Sequence, residues 1–448
     1  MRPYKVLLFI ACVLVCLGVL CTVLPGRVAW GEQQLRWPTL AEVMGEEGPD
    51  NPEDPDIPES PDDIEEFPVA PDSLMTDTMP VVPQQPVIPK IVVDSTADSR
   101  MFLQAFYAAL DQSAERMVRV LHYGDSQIEE DRMTQQIREA LQARYGGAGA
   151  GLLPLVQTIP SLTVKQQLHM SGRSITPAQG PQRYFVYGFK RNQRADGLYG
   201  PMGQMAVMND KLVKGSEAIM AVCTPQSRER RYTQWKIFAD TAIHYTTSGD
   251  TVRLSGRGDV YALSQQSETG VIVDNLPMRG CLGLVFTKMD SAQLSTFYHQ
   301  ENVRLIIMQF GGNAIPSNRN PGTIAGIVKG LREQVRYLRA CAPEASILFI
   351  GPSDMLTQTD GEWQTYPMVP YMDRLLRKMA LEENIAYFSL YRWMGGKGSM
   401  MRWQEAGLAG HDGVHFTRSG ARKAGNAVAE WILEGMSATT SLNDGMME

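Results

Sequence analysis

From residue 99 the apolar positions recur at helical spacing, then run unbroken, then return to helical spacing. The stretch from about Ser99 to Arg116 predicts an amphipathic helix, and Val118 to Tyr123 a buried strand. Met133, Ile137 and Leu141, at i, i+4 and i+8, form the apolar stripe of a second helix. Glu129, Glu130 and Asp131 near its start complement the positive end of its dipole. The same rhythm returns at Asn302 to Phe310, a strand, and then at a helix over about Thr323 to Ala340. Strand Ser346 to Ile350, a helix around Met372 to Glu382, strand Ile385 to Leu390 and a closing helix near Ser419 to Leu433 complete it. Strands alternating with helices predict a parallel sheet covered on both faces.

Between these halves the texture changes. From about Ala206 to Asp290 the chain offers short β-rich pieces, "EAIMAVC", "YTQWKIFAD", "AIHYTT", "DTVRLSG", "GVIVDNL" and "GCLGLVF", separated by turn residues. They predict a β-sandwich inserted into the α/β domain. In an exported protein such a module is often carbohydrate-binding, with Trp235 and Tyr232 as stacking candidates; an inert insertion is the alternative. "RYGGAGAGLLP" (Arg144 to Pro154) lacks the phosphate-loop pattern and reads as a flexible loop.

The amino-terminal region is different again. Val6 to Leu24 holds no charge and would span about 28 Å as a helix, close to the thickness of a bilayer's hydrocarbon core. Arg27-Val28-Ala29 is a poor cleavage site, so an uncleaved anchor is favoured over a signal peptide. Arg2 and Lys5 precede the span and only Arg27 follows closely, which places the rest outside the cytoplasm, in a periplasm, tethered to the inner membrane. From Trp37 to Pro89 come twelve prolines, fourteen acidic residues and no Lys or Arg, the composition of an extended spacer. Removing those fourteen charges from a net of −7 leaves +7 on the remainder, a mildly basic folded part. Aromatic residues do not interleave with the basic ones, so nucleic acid is not an expected partner. Cys12, Cys16 and Cys21 lie in the span; Cys223 and Cys281 could bridge or stay free, and no disulfide framework is assigned with Cys341 left over.

Candidate chemistry sits at the strand ends, where a doubly wound sheet binds its ligands. Ser126, in Gly124-Asp125-Ser126, follows the first strand, with its hydroxyl and backbone N–H facing that region. The bland alternative is a helix N-cap. A nucleophilic serine needs a base and a carboxylate to orient it. "GHDGVHFTRSGARKAG" (Gly410 to Gly425) supplies His415 as base and Asp412, three residues before, as its orienter, with His411 a competing base. "MQFGGNAIP" offers the Asn313 amide to a developing oxyanion, and "DGLYGPMGQMA" a backbone N–H from Gly200 or Gly203. No cofactor is called for and no metal: His411 and His415 are the one His pair at ligand spacing, and Asp412 between them fits a triad better.

In order and setting these motifs resemble the SGNH, or GDSL-like, hydrolase family over roughly Met117 to Glu434, the insertion apart. The resemblance implies a three-layer α/β/α, flavodoxin-like sheet, with Ser126 as nucleophile, His415 as base and Asp412 as its orienter. Ser126 N–H, Gly203 N–H and the Asn313 side chain would form the oxyanion hole. Gln127 replaces the family's usual leucine, and Ala314 the usual acid after the asparagine. The layout looks like that of the family's peptidoglycan and polysaccharide O-acetyl esterases and acetyltransferases. The expected plan is an anchor (1–30), a linker (31–97), a hydrolase domain (98–205 and 291–437), the β-module (206–290) and a disordered tail (438–448). The expected activity is serine-esterase removal of O-acetyl groups from a cell-envelope or extracellular glycan. An O-acetyltransferase fed by a membrane acetyl donor and a non-catalytic glycan-binding scaffold are the alternatives.

Overall fold

The computed structural model describes residues 27–30, 33–36, 98–155, 157, 161–171, 210–223, 234–239, 241–318, 320–359 and 361–444. Met1–Glu66 and Phe67–Glu448 are separate units. In the first, β1 (Arg27–Trp30) pairs antiparallel with β2 (Gln33–Arg36). The expected boundary between anchor and linker, at residue 30, therefore falls inside a hairpin. The Val6 to Leu24 span and the Trp37 to Pro89 spacer lie outside the described residues, as do Gly200, Gly203 and Tyr232. Among the described residues no helix is long and apolar enough to cross a membrane.

The second unit opens with a 3-10 turn, Ser99–Leu103, and α1 (Gln104–Leu110), which stops short of Arg116. The residues after it form turns, and the Ser113 carbonyl accepts the Gly270 N–H at 2.6 Å. β3 (Val118–Gly124) and α2 (Thr134–Tyr145) follow. Six antiparallel strands come next: β4 (Gly151–Leu153), β5 (Lys165–Ser171), β6 (Asp210–Cys223), β7 (Gln234–Ala239), β8 (Ile243–Ser248) and β9 (Thr251–Gln266). β10 (Val271–Pro277), α3 (Ser291–Gln300), β11 (Val303–Gln309), α4 (Pro321–Cys341) and β12 (Ser346–Ile350) restore the α/β alternation. A small hairpin, β13 (Leu356–Thr359) with β14 (Glu362–Thr365), precedes α5 (Met368–Glu382) and β15 (Ala386–Phe388). The chain closes with α6 (Leu390–Met394), α7 (Ser399–Glu405) and α8 (Arg418–Asp444).

The central sheet has the order β10-β3-β11-β12-β15, parallel throughout. Its order reverses between β3 and β11, so a crevice opens beyond their carboxyl ends. Burial on both faces explains the unbroken apolar runs: every residue of β3 and of β12 is buried. Alternate residues Val118, Val120, Val273, Leu305, Ile307 and Leu348 share one core with Met133, Ile137 and Leu141 of α2 and Val428 and Ile432 of α8. On the other face Tyr123 meets the edge of Phe286, ring centroids 4.9 Å apart.

The β-rich region forms one six-stranded sheet among the described residues, with β9 as its organiser, and the expected sandwich is not confirmed. Three other sequence expectations need correction. That sheet starts at Gly151, within the supposed flexible loop. Gly147 and Gly149, at φ 105° and 101°, allow the loop to press against backbone, for a Cβ would meet the Val271 nitrogen at 2.5 Å and the Gln265 oxygen at 2.3 Å. "GVIVDNL" belongs to the central sheet as β10, and "GCLGLVF" is turn and loop up to a 3-10 turn at Phe286–Lys288. An apolar run does not reveal which sheet it will join. The tail expected to be disordered is helical as far as Asp444.

Buried charges join the two sheets. Arg119 of β3 is fully buried, contacts both Asp274 oxygens of β10 at 2.8 and 3.0 Å, and lies 3.3 Å from Glu301. It also donates to Ser264 and Gln266 of β9, while the Leu152 N–H of β4 donates to Asp274 at 2.8 Å.

Candidate active site

Asp125 begins the turn after β3, where its side chain accepts the Gln127 N–H at 2.9 Å. That turn leaves Ser126 half-buried at the crevice. The loop before α8 approaches from the far end of the chain, and the Ser126 Oγ and His415 Nε2 stand 2.9 Å apart. His415 Nδ1 lies 2.7 Å from Asp412 Oδ2. The other Asp412 oxygen accepts the backbone N–H groups of Val414 and His415, each at 3.0 Å. Burial alone would raise the Asp412 pKa, but the hydrogen bonds from His415 and Val414 hold it below the usual value. A carboxylate at Nδ1 favours the tautomer that carries its hydrogen there and turns the bare Nε2 toward the serine hydroxyl. His411 is exposed and does not line the crevice, so the structure brings His415 to Ser126 and not its neighbour.

The crevice has a volume of about 560 Å³ and is lined by Ser126, His415, Asn313, Gly280, Arg279 and Pro352 among others. Asn313 is present, as the sequence suggests, but its Nδ2 donates to Asp125 Oδ2 at 3.1 Å and to the Cys281 carbonyl at 3.2 Å. Both hydrogens of its amide are thus engaged, and service to an oxyanion requires that one be released. Gly280, at φ 70°, lines the crevice just beyond β10, a position that sequence reasoning missed because β10 was assigned to the insertion. Among the described residues neither the Gly280 N–H nor the Ser126 N–H donates to another protein group. Two unspent backbone donors at one cleft suit a developing negative charge.

The contact made by Gln127, which the sequence marks only as a replacement for the family's leucine, is a second omission. Its Nε2 donates to the Val414 carbonyl at 2.7 Å, tying the serine turn to the histidine loop where a leucine could not. Cys281 and Cys341 are buried free thiols, which excludes the bridge considered for Cys281. Burial pushes the Cys281 thiol up to about 11, away from nucleophilic use. Trp235 packs against the core of the antiparallel sheet and donates to the Gly249 carbonyl at 2.9 Å.

The fold is that of the SGNH, or GDSL-like, hydrolases. A structure described as a peptidoglycan O-acetylesterase superposes with a TM-score of 0.59 at 19% identity, covering 77% of this chain and 98% of that one. A carbohydrate acetylesterase from Sinorhizobium meliloti matches 37% of this chain and 79% of its own at 16% identity, with a TM-score of 0.28. The periplasmic domain of a lipopolysaccharide acetyltransferase from Salmonella ser. Paratyphi A matches 38% and 73% at 11% identity, TM-score 0.26. No family model and no curated protein matches the sequence.

Proposed function

We propose that the chain is a serine esterase that removes O-acetyl groups from a glycan, with Ser126 as nucleophile, His415 as base and Asp412 as its orienter. The observation that carries this is the continuous hydrogen-bonded series from Asp412 through His415 to Ser126 at an open crevice. His415 Nε2 takes the Ser126 proton as Oγ bonds to the acetyl carbon, and the carbonyl oxygen becomes an oxyanion beside the Ser126 and Gly280 N–H groups. On collapse the carbon–oxygen bond to the sugar breaks, and the sugar oxygen leaves with the proton from His415. Water, deprotonated by the same imidazole, then adds to the acyl carbon; the carbon–Oγ bond breaks as Ser126 takes the proton back from His415, and acetate leaves. The likeness to a peptidoglycan O-acetylesterase supports a cell-envelope glycan as substrate, and the apolar segment Val6 to Leu24 supports action outside the cytoplasm by a tethered enzyme.

Acetate release from O-acetylated peptidoglycan, followed with purified chain, tests this. Release by the wild type and its loss in Ser126→Ala are expected. Release that Ser126→Ala leaves unchanged contradicts the proposal, and acetyl gain on a sugar acceptor without net acetate release assigns the chain to transfer instead.

A further inference from the structure

Arg279 stands in the crevice beside Gly280, its side chain 60% exposed, yet it is not free to wander. Its Nε donates to Glu129 Oε1 at 2.6 Å and its Nη2 to Glu129 Oε2, while the Glu129 side chain is only 3% exposed. A buried carboxylate spent on an exposed arginine calls for a reason, since a surface ion pair contributes little to stability. The backbone around Glu129 is forced as well. Glu130 and Asp131 sit at φ 61° and 63°, a region costly for residues with a Cβ. Arg138 holds Asp131 through both oxygens, at 2.6 and 3.0 Å, and the Glu130 carbonyl accepts the Leu162 N–H at 2.8 Å. The strained turn thereby fixes Glu129, and Glu129 fixes the guanidinium.

Guanidinium geometry decides what this arrangement can bind. Glu129 occupies the Nε–Nη2 edge, which leaves the Nη1–Nη2 edge with no partner among the described residues. That edge matches two oxygens of a second carboxylate, and its orientation is set before the ligand arrives. We infer that Arg279, positioned by Glu129, is a carboxylate-binding subsite that selects glycans bearing an acidic group close to the acyl ester. The inference rests on the serine-esterase proposal and deepens it by naming the substrate class.

Binding, read separately from turnover, tests the subsite. Ser126→Ala protein is titrated calorimetrically with two O-acetylated glycosides, one of muramic acid and one of galacturonic acid, each as free acid and as methyl ester. The free acid of at least one pair is expected to bind about 10- to 100-fold more tightly than its ester, the size of a hydrogen-bonded charge pair. The additional change Arg279→Gln brings that ratio close to one. The ratio compares two ligands on the same protein, so a partial loss of folding does not imitate the result. In the background that retains Arg279, the preference also falls as salt is raised. No tighter binding of either acid, or a preference that survives Arg279→Gln, overturns the subsite. Failure of the esterase proposal is distinct, for it is read as absence of acetate release from the wild-type chain.

Discussion

At the scale of single residues, the site places two aspartates in opposite electrostatic settings. Asp412 is held ionised by its hydrogen bonds, and its replacement by Asn should lower kcat by between about a hundredfold and ten thousandfold in an acetate-release assay. Asp125 is pushed up to about 6 by burial, although the Gln127 N–H and nearby His415 pull it down and Glu129 pushes it further up. Because this carboxyl keeps its proton to about pH 6 when folded but loses it near 4 when unfolded, the folded chain binds more protons across that interval. Its contribution to stability is therefore complete below about pH 4 and lost as pH rises through 6. Denaturant unfolding at a series of pH values should show that decline in the wild type and a flatter profile in Asp125→Asn. Ser126, Asp412 and His415 were legible in the sequence because a strand end and a turn with i, i+3 spacing are local features. The tie from Gln127 and the commitment of Asn313 were not, since each depends on a partner far along the chain, and Gly280 was hidden by the assignment of β10 to the insertion.

At the scale of elements, the serine turn and the histidine loop are joined through helices that follow them directly. Met133 precedes the first residue of α2, and Gly425 lies in the second turn of α8. A Cβ on Gly425 would meet the Met133 carbonyl at 2.5 Å, too close for anything but displacement of one helix from the other. Gly425→Ala should lower stability by about 1–3 kcal/mol, visible as an earlier thermal midpoint. The glycine in "RKAG" thus reports helix packing, a role its sequence context alone does not disclose. The parallel strands were legible because burial on both faces leaves an unbroken apolar signature. Strand β10 carries that same signature, and its place in the sheet is fixed by Asp274 meeting Arg119, a pairing across 155 positions.

At the scale of the whole molecule, the antiparallel sheet is fastened to the parallel one through buried charge. Arg119→Met removes the cation from beside Asp274 and should cost about 3–5 kcal/mol in denaturant unfolding, because that buried carboxylate loses its ion-pair partner while Glu301 keeps Lys236. Changing Asp274→Leu in the same chain should return part of that loss. Such fastening lets strands that are distant in sequence present Ser126, Gly280 and Asn313 at one crevice, to which the last loop brings His415. The most direct test of that convergence is mass spectrometry after treatment with a fluorophosphonate, which captures a serine only when a base activates it. A single adduct on Ser126 in the wild type, absent from His415→Ala, is the expected result. An adduct on another serine, or labelling of Ser126 that His415→Ala leaves undiminished, would contradict the proposed chemistry.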